Sequence, residues 1–157
     1  TCRPDDAAKI CEIYNPHVGE TVVTFEETPV AERDMARRIE TTLARLPWLV
    51  WGQDGAIAGY ACATPWKSRS AYRFSVESTV YVAQACARGS IGTRLMEALI
   101  DDLRARNVHC VNGGVALRNA ASIALHEKLG FVKIAEFKEV GYKLGRWVDV
   151  GYWELLL

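Results

Sequence analysis

No run of apolar residues in this chain approaches the ~20 that a membrane-spanning helix needs, and Trp48-Leu-Val-Trp51 falls far short. An excess of charge of either sign is missing too: 19 Lys+Arg face 19 Asp+Glu, a formal net charge of +0. That balance argues against nucleic acid as a main partner, because phosphate backbones select net-basic surfaces. Cysteine is sparse and unpatterned. Cys2, Cys11, Cys62, Cys86 and Cys110 are odd in number, and no two lie at metal-clip spacing. No zinc site and no disulfide framework is expected, only buried or idle thiols. The first residues carry Arg3, Asp5, Asp6 and Lys9 where a signal peptide would need an apolar stretch. Linkers, internal repeats and low-complexity segments are absent. The expectation is a cytoplasmic, single-domain protein over residues 1–157, without metal, membrane or nucleic acid.

Half of the residues are hydrophobic, enough for a sizeable core in a chain of this length. Asp5 or Asp6 can cap a first helix with Ile10, Ile13 and Tyr14 on one face, ending near Asn15-Pro16. A β-prone stretch follows at Thr21–Phe25, and Thr28-Pro29 reads as the start of a second helix that carries Met35, Ile39, Leu43 and Leu46. Strands at Trp48–Trp51 and Ile57–Ala63 are joined through the turn pair Asp54-Gly55. The clearest helix repeats Ile91, Leu95, Leu99 and Leu103 every fourth residue, with Met96 and Ile100 widening the stripe. A strand at Val108–Val115 precedes a shorter helix from near Asn119 to Leu129, with Gly130 as its left-handed cap. Strands at Val140–Leu144 and Trp147–Leu155 meet at a Gly145-Arg146 turn. The order implies an α/β fold with a mixed, mostly antiparallel central sheet flanked by helices.

One stretch carries the chemistry. Glu77-Ser-Thr-Val-Tyr-Val82 reads as a strand, Arg88-Gly-Ser-Ile-Gly92 as a tight turn, and the residues after it as a helix with an unobstructed N-terminus. Such a helix start offers unpaired N–H groups and the positive end of a dipole, which suits a pyrophosphate. Arg88 adds a fixed positive charge. Glu77 supplies a carboxylate near the other end of the strand. An anionic-cofactor cradle beside a candidate base points to group transfer.

These pieces, together with others, resemble the GNAT superfamily of acetyl-CoA-dependent N-acetyltransferases. Within it they are most similar to the phosphinothricin and methionine sulfoximine acetyltransferase subgroup. The matching residues are Glu12-Ile-Tyr-Asn15, Phe25 with Glu27-Thr-Pro29, Pro65-Trp-Lys-Ser-Arg69 with Ala71-Tyr72, and Glu77–Val82. Asn119-Ala-Ala-Ser122 running into His126-Glu-Lys-Leu-Gly-Phe131, and Gly141-Tyr-Lys-Leu-Gly-Arg-Trp147 with Asp149-Val-Gly151, complete the set. In the cofactor loop Ala87 and Ser90 stand where the family usually has Gln or Arg and the first glycine. A serine forced to positive φ there would cost on the order of 1–2 kcal/mol, unless Gly89 absorbs the turn.

The resemblance implies a GNAT fold, acetyl-CoA as cosubstrate, a small-molecule amine as acceptor, and a homodimer. It makes Glu77 the general base, acting on an α-amine of pKa about 8 directly or through water; the alternative is a solvated strand carboxylate. The backbone of Val80, Tyr81 and Val82 would pair with the pantetheine arm, and a main-chain N–H such as that of Val80 would hold the thioester oxygen. Arg88, Gly89, Ser90, Ile91, Gly92 and Thr93 would cradle the pyrophosphate. Asn119, Ser122 and His126 share a helical face that can look at the cofactor, His126 as a second acid/base or as a structural histidine, Asn119 also as a cap. Lys67, Ser68 and Arg69 lie in the loop matching the family's substrate loop, with Arg73, Ser78 and Thr79 beside it; an exposed basic loop is the alternative. Tyr14, Asn15, Phe25 and Trp66 are candidate pocket walls or core aromatics. Readings from other classes are a non-catalytic acyl-CoA sensor and an acyl-enzyme on Cys86 or Cys110. A polyamine or a protein N-terminus is an alternative acceptor.

Overall fold

The computed structural model describes residues 1–157 apart from Asp54, Arg88 and the side chain of Gln53. Six strands form one sheet in the order β1-β2-β3-β4-β6-β5. They are β1 (Trp48–Gln53), β2 (Ala56–Pro65), β3 (Ser75–Val82), β4 (Cys110–Ala116), β5 (Val132–Lys143) and β6 (Arg146–Leu156). Every neighbouring pair is antiparallel except β3 and β4, which run parallel. A parallel pair needs a crossover, and α3 (Ile91–Ala105) supplies it.

Alternation along the strands sends successive side chains to two separate cores. Tyr60 and Cys62 join α1 (Ala7–Glu20) and α2 (Glu32–Leu43) on one face. Ala61, Ala63, Val76 and Val111 join α3 on the other, with Ile123 and Leu125 of α4 (Ala120–Lys128) packed against them. The stripe of α3 is buried as its spacing predicts, with Met96, Leu99 and Leu103 at 0% exposure. Truncating Leu99 to Ala would cost about 2–5 kcal/mol.

Several element boundaries differ from the sequence expectation. Helix α1 does not stop at Pro16 but continues to Glu20, because Val18 one turn on is buried with Ile10, Ile13 and Tyr14. Thr21–Phe25 forms no strand; side-chain hydrogen bonds hold it instead. Helix α2 starts at Glu32 and not at Pro29, since the Asn15 amide holds both main-chain groups of Val30, at 2.9 and 3.0 Å. Strand β5 begins at Val132, well before Val140, and is irregular between Phe137 and Gly141. The β5–β6 turn sits one residue earlier than expected, with Leu144 (φ 52°) and Gly145 (φ 74°) both left-handed, as a two-residue hairpin requires. Gly55 and Gly130 take the positive φ expected of them. Among the described residues no helix is long and apolar enough to cross a membrane, and no cluster of three His, Cys, Asp or Glu offers a metal site.

Candidate active site

The parallel β3–β4 pairing is short. Its register runs Ser75↔Cys110, Val76↔Val111 and Glu77↔Asn112, and beyond Glu77 the two strands part. The remaining residues of β3 pair only with β2, through Val80↔Ala61, Tyr81↔Tyr60 and Val82↔Gly59. Their β4-facing edge is left without a strand. The parting is stabilised where it begins: buried Ser78 donates through Oγ to the Asn112 carbonyl at 3.2 Å, and Asn112 Nδ2 donates to the Val76 carbonyl at 3.4 Å. Two polar side chains thus brace the carbonyls at the last paired positions of the β3–β4 ladder.

Glu77 stands at this branch point, on the face that carries α1 and α2. Two residues beyond its partner Asn112, β4 offers Gly114, where an added Cβ would lie 2.9 Å from Glu77 Oε1 and 3.1 Å from the Tyr152 ring. The missing side chain is the seat of the carboxylate. Glu77 lines a cleft of ≈ 620 Å³ with Phe25, Trp66, Lys67, Phe137 and Tyr152. The Tyr152 ring meets Trp66 edge-on at 5.3 Å and Phe137 at 5.8 Å, giving an aromatic wall. Among the described residues no group donates a hydrogen bond to the Glu77 carboxylate, so its oxygens remain open to the cleft. Burial pushes its pKa above the ordinary carboxylate value, with the Lys67 charge pulling partly back. A half-buried, unpartnered carboxylate with a raised pKa is suited to accept a proton near neutral pH.

A second feature, the free edge of β3 and the start of α3, is made of backbone. Helix α3 opens at Ile91 with no side chain capping its N-terminus, so the first-turn N–H groups of Ile91, Gly92 and Thr93 are available. Gly59 of β2 sets the approach: a Cβ there would come within 3.0 Å of the Tyr81 carbonyl and 3.3 Å of Ile91, so glycine lets the helix start lie close to β2. Ser90 sits at φ −83°, and the strain feared for a serine in this loop does not arise. A Cβ at Gly89 would make only ordinary contact, the nearest atom being the Cys86 carbonyl oxygen at 3.6 Å. Arg88 lies outside the described residues. An exposed β3 edge leading to an uncapped 15-residue helix fits an extended amide-bearing arm ending in phosphates. Of Val80, Tyr81 and Val82 the main chain is what faces that path. The Tyr81 ring is committed to the core, 5.2 Å from Tyr14 and 5.1 Å from His17.

Other expected residues are distributed differently. His126 is 4% exposed and lies behind Gly113, where an added Cβ would strike its Nε2 at 2.2 Å. Adjacent residues of a strand point to opposite faces, so His126 is across the sheet from Glu77. Its Nδ1 lies 2.7 Å from the Ser122 carbonyl, which can only accept; Nδ1 therefore carries the proton. Burial lowers its pKa, and the ring is neutral at neutral pH. Such a histidine can take a proton but has none to give at Nε2. Asn119 is the cap of α4, accepting from the Ser122 N–H at 3.1 Å.

Of the substrate-loop residues, Lys67 alone lines the Glu77 cleft. Ser68, Arg69 and Arg73 line a neighbouring basic cleft with Arg45 and Arg106, and Arg73 leans over Phe74 at 4.5 Å. Ser78 points away from the acceptor face and is occupied at the strand branch. Thr79 faces a third cavity, of ≈ 810 Å³, with Tyr14, Tyr60 and Thr64. Sequence reasoning missed Tyr152, Phe137 and Gly114. The doublet Gly113-Gly114 inside a strand was the available signal, since glycine in a strand marks a close approach.

With this geometry in place, the comparisons with known proteins are direct. The profile of the acetyltransferase (GNAT) domain matches residues 1–151. The phosphinothricin N-acetyltransferase of Streptomyces viridochromogenes is 37% identical over 149 residues, covering 95% of this chain and 81% of its own. The L-methionine sulfoximine/L-methionine sulfone acetyltransferase of Salmonella typhimurium is 37% identical over 153 residues, covering 97% and 90%. Among solved structures, a GNAT superfamily phosphinothricin acetyltransferase from Sinorhizobium meliloti in complex with acetyl-CoA superposes with a TM-score of 0.95. It is 34% identical and covers 99% of this chain and 85% of its own.

Proposed function

This chain belongs to the GNAT acetyltransferase family, an acetyl-CoA-dependent enzyme, and from that premise we propose that it acetylates the α-amine of a small amino acid of the phosphinothricin or methionine sulfoximine type, with Glu77 as general base. The observation that carries the reading is Glu77 itself: an unpartnered carboxylate of raised pKa, in an aromatic cleft, where β3 and β4 part.

Acetyl-CoA, when bound, brings the activated acetyl group; the chain supplies position and proton transfer. The main chain of Val80, Tyr81 and Val82 holds an extended amide arm as a neighbouring strand would. The first-turn N–H groups of α3 hold its phosphates. A main-chain N–H of β3, that of Val80 first, lies on the path where negative charge develops on the carbonyl oxygen. Glu77 accepts the proton that an ammonium of pKa about 8 must lose before its nitrogen can attack. Lys67, 4.8 Å above the Trp66 ring and part of the same cleft, offers the cation for an acidic group on the acceptor. Phe25, Phe137 and Tyr152 exclude water around the amine.

His126 is assigned to positioning rather than to acid catalysis, because its only ring proton is held by Ser122. The acyl-enzyme reading is disfavoured at Cys110, whose thiol is pushed up in pKa by burial and by its contact with Glu154. Of the two loop departures that prompt the sensor reading, Ala87 and Ser90, the serine is unstrained. A homodimer is supported by exposed Ile134, Val140, Tyr142 and Trp147 along β5 and β6, and sedimentation of the purified chain tests it.

The test of function is thiol release from acetyl-CoA with phosphinothricin, methionine sulfoximine, common amino acids, a polyamine and a short peptide. Turnover concentrated on either of the first two is expected. Turnover on the peptide or the polyamine alone overturns the acceptor class.

A further inference from the structure

Lys143, near the end of β5, is 2% exposed, and among the described residues no carboxylate lies within ion-pair distance of its ammonium. Its Nζ donates instead to two main-chain carbonyls, Thr24 at 2.7 Å and His17 at 3.4 Å. His17 lies in the last turn of α1, whose carbonyls have no partner within the helix and mark the negative end of its dipole. A buried ammonium is costly to keep, and burial lowers the Lys143 pKa. What it joins is informative. Thr24 belongs to the segment after α1 that has no regular structure, and the next residue is Phe25, a wall of the Glu77 cleft.

Phe25 meets β5 two residues before Lys143. A Cβ at Gly141 would fall 2.3 Å from Phe25 Cε2 and 2.4 Å from Cζ, so the ring occupies space that only glycine leaves open. Two devices on one strand, a missing side chain and a buried cation, therefore fix the same aromatic. Other ties of the segment come from the helices: Tyr14 Oη to Thr24 Oγ1 at 2.7 Å, and Arg38 to Glu26. From the sheet, Tyr81 of β3 also meets the Thr24 side chain, and Lys143 is the tie that joins the segment to β5, through the Thr24 carbonyl.

We propose that Lys143 is a positioning residue for acceptor recognition, clamping the Thr21–Phe25 segment onto β5 so that Phe25 closes the acceptor cleft. It touches neither substrate and acts through Phe25. The proposal rests on the reading of the Glu77 cleft as the acceptor site. A wall held in place lowers the ordering cost of binding the acceptor and does nothing for acetyl-CoA, which lies along β3 and α3.

The experiment compares Lys143→Met, Phe25→Ala and the double variant in the intact chain, with steady-state kinetics in both substrates and hydrogen exchange of the main chain. Lys143→Met is expected to raise the acceptor KM about tenfold while the acetyl-CoA KM stays within about twofold. Adding it to Phe25→Ala should raise the acceptor KM no further, because both act through one ring. Amides of residues 21–26 should exchange about tenfold faster with α3 unchanged. Should Lys143→Met not fold, Lys143→Gln, which keeps a donor but loses the charge, reads the same split. Equal rises in both KM values, full additivity with Phe25→Ala, or unaltered exchange at 21–26 would overturn the proposal. Where the wild-type chain turns over none of the acceptors, the acceptor reading fails, and the exchange result alone decides whether Lys143 clamps the segment.

Discussion

Gly113 and Gly114 are neighbours in β4, and the sheet places opposite kinds of residue against them. Behind Gly113 lies His126, buried, neutral and bonded to its own helix; in front of Gly114 lies Glu77, half-buried and free of partners. Both glycines exist for close approach, yet one approach serves packing and the other leaves a reactive group open. The difference teaches where chemistry sits in this fold. The face bearing α3 and α4 is a closed core, and the face bearing α1 and α2 is open around a carboxylate.

The largest effect should come from the open face. Glu77→Gln is expected to lower kcat about 10²–10⁴-fold while acetyl-CoA affinity by calorimetry is unchanged. The two glycines should then separate stability from catalysis. Gly113→Ala drives a methyl group into the buried His126 ring and should cost about 1–3 kcal/mol, lowering Tm with kcat of the folded fraction largely kept. Gly114→Ala displaces only the mobile end of Glu77 and the Tyr152 ring, so kcat should fall about tenfold with little change in Tm. The reverse pattern would erase the contrast between the faces. Lys67→Met removes a charge that lowers the Glu77 pKa, so the acid limb of the kcat profile should move to higher pH. The smallest effect is expected at Ser90, whose φ is already relaxed: Ser90→Gly should leave the acetyl-CoA KM within about twofold.

How much of this the chain discloses by itself follows the same division. The proposed cofactor side is contiguous, and Glu77–Val82, the loop and α3 could be read in order because local pattern and helix-end physics determine them. Asn119 as a cap and Gly130 as a left-handed stop were equally local. The proposed acceptor side was legible only in part: Phe25, Trp66 and Lys67 were candidates from the sequence, whereas Tyr152, more than a hundred residues from Phe25, joins them only through the fold. Ser78 was misplaced because substrate-loop proximity outweighed strand parity, which puts it on the face away from Glu77. His126 was brought to the cofactor by helical spacing with Asn119 and Ser122, a pattern that cannot say which side of the sheet the helix covers. Lys143 sat inside a recognised motif with no role, because its partners, His17 and Thr24, lie at the other end of the chain.

The measurement that bears most directly on Glu77 is the pH dependence of kcat for the wild-type chain and for Glu77→Gln, both saturated with acetyl-CoA and acceptor. The wild type should show an acid limb above the ordinary carboxylate range, and that limb should be missing from the residual activity of Glu77→Gln. The same limb in both proteins, or undiminished turnover by Glu77→Gln near neutral pH, would contradict the assignment of Glu77 as the base.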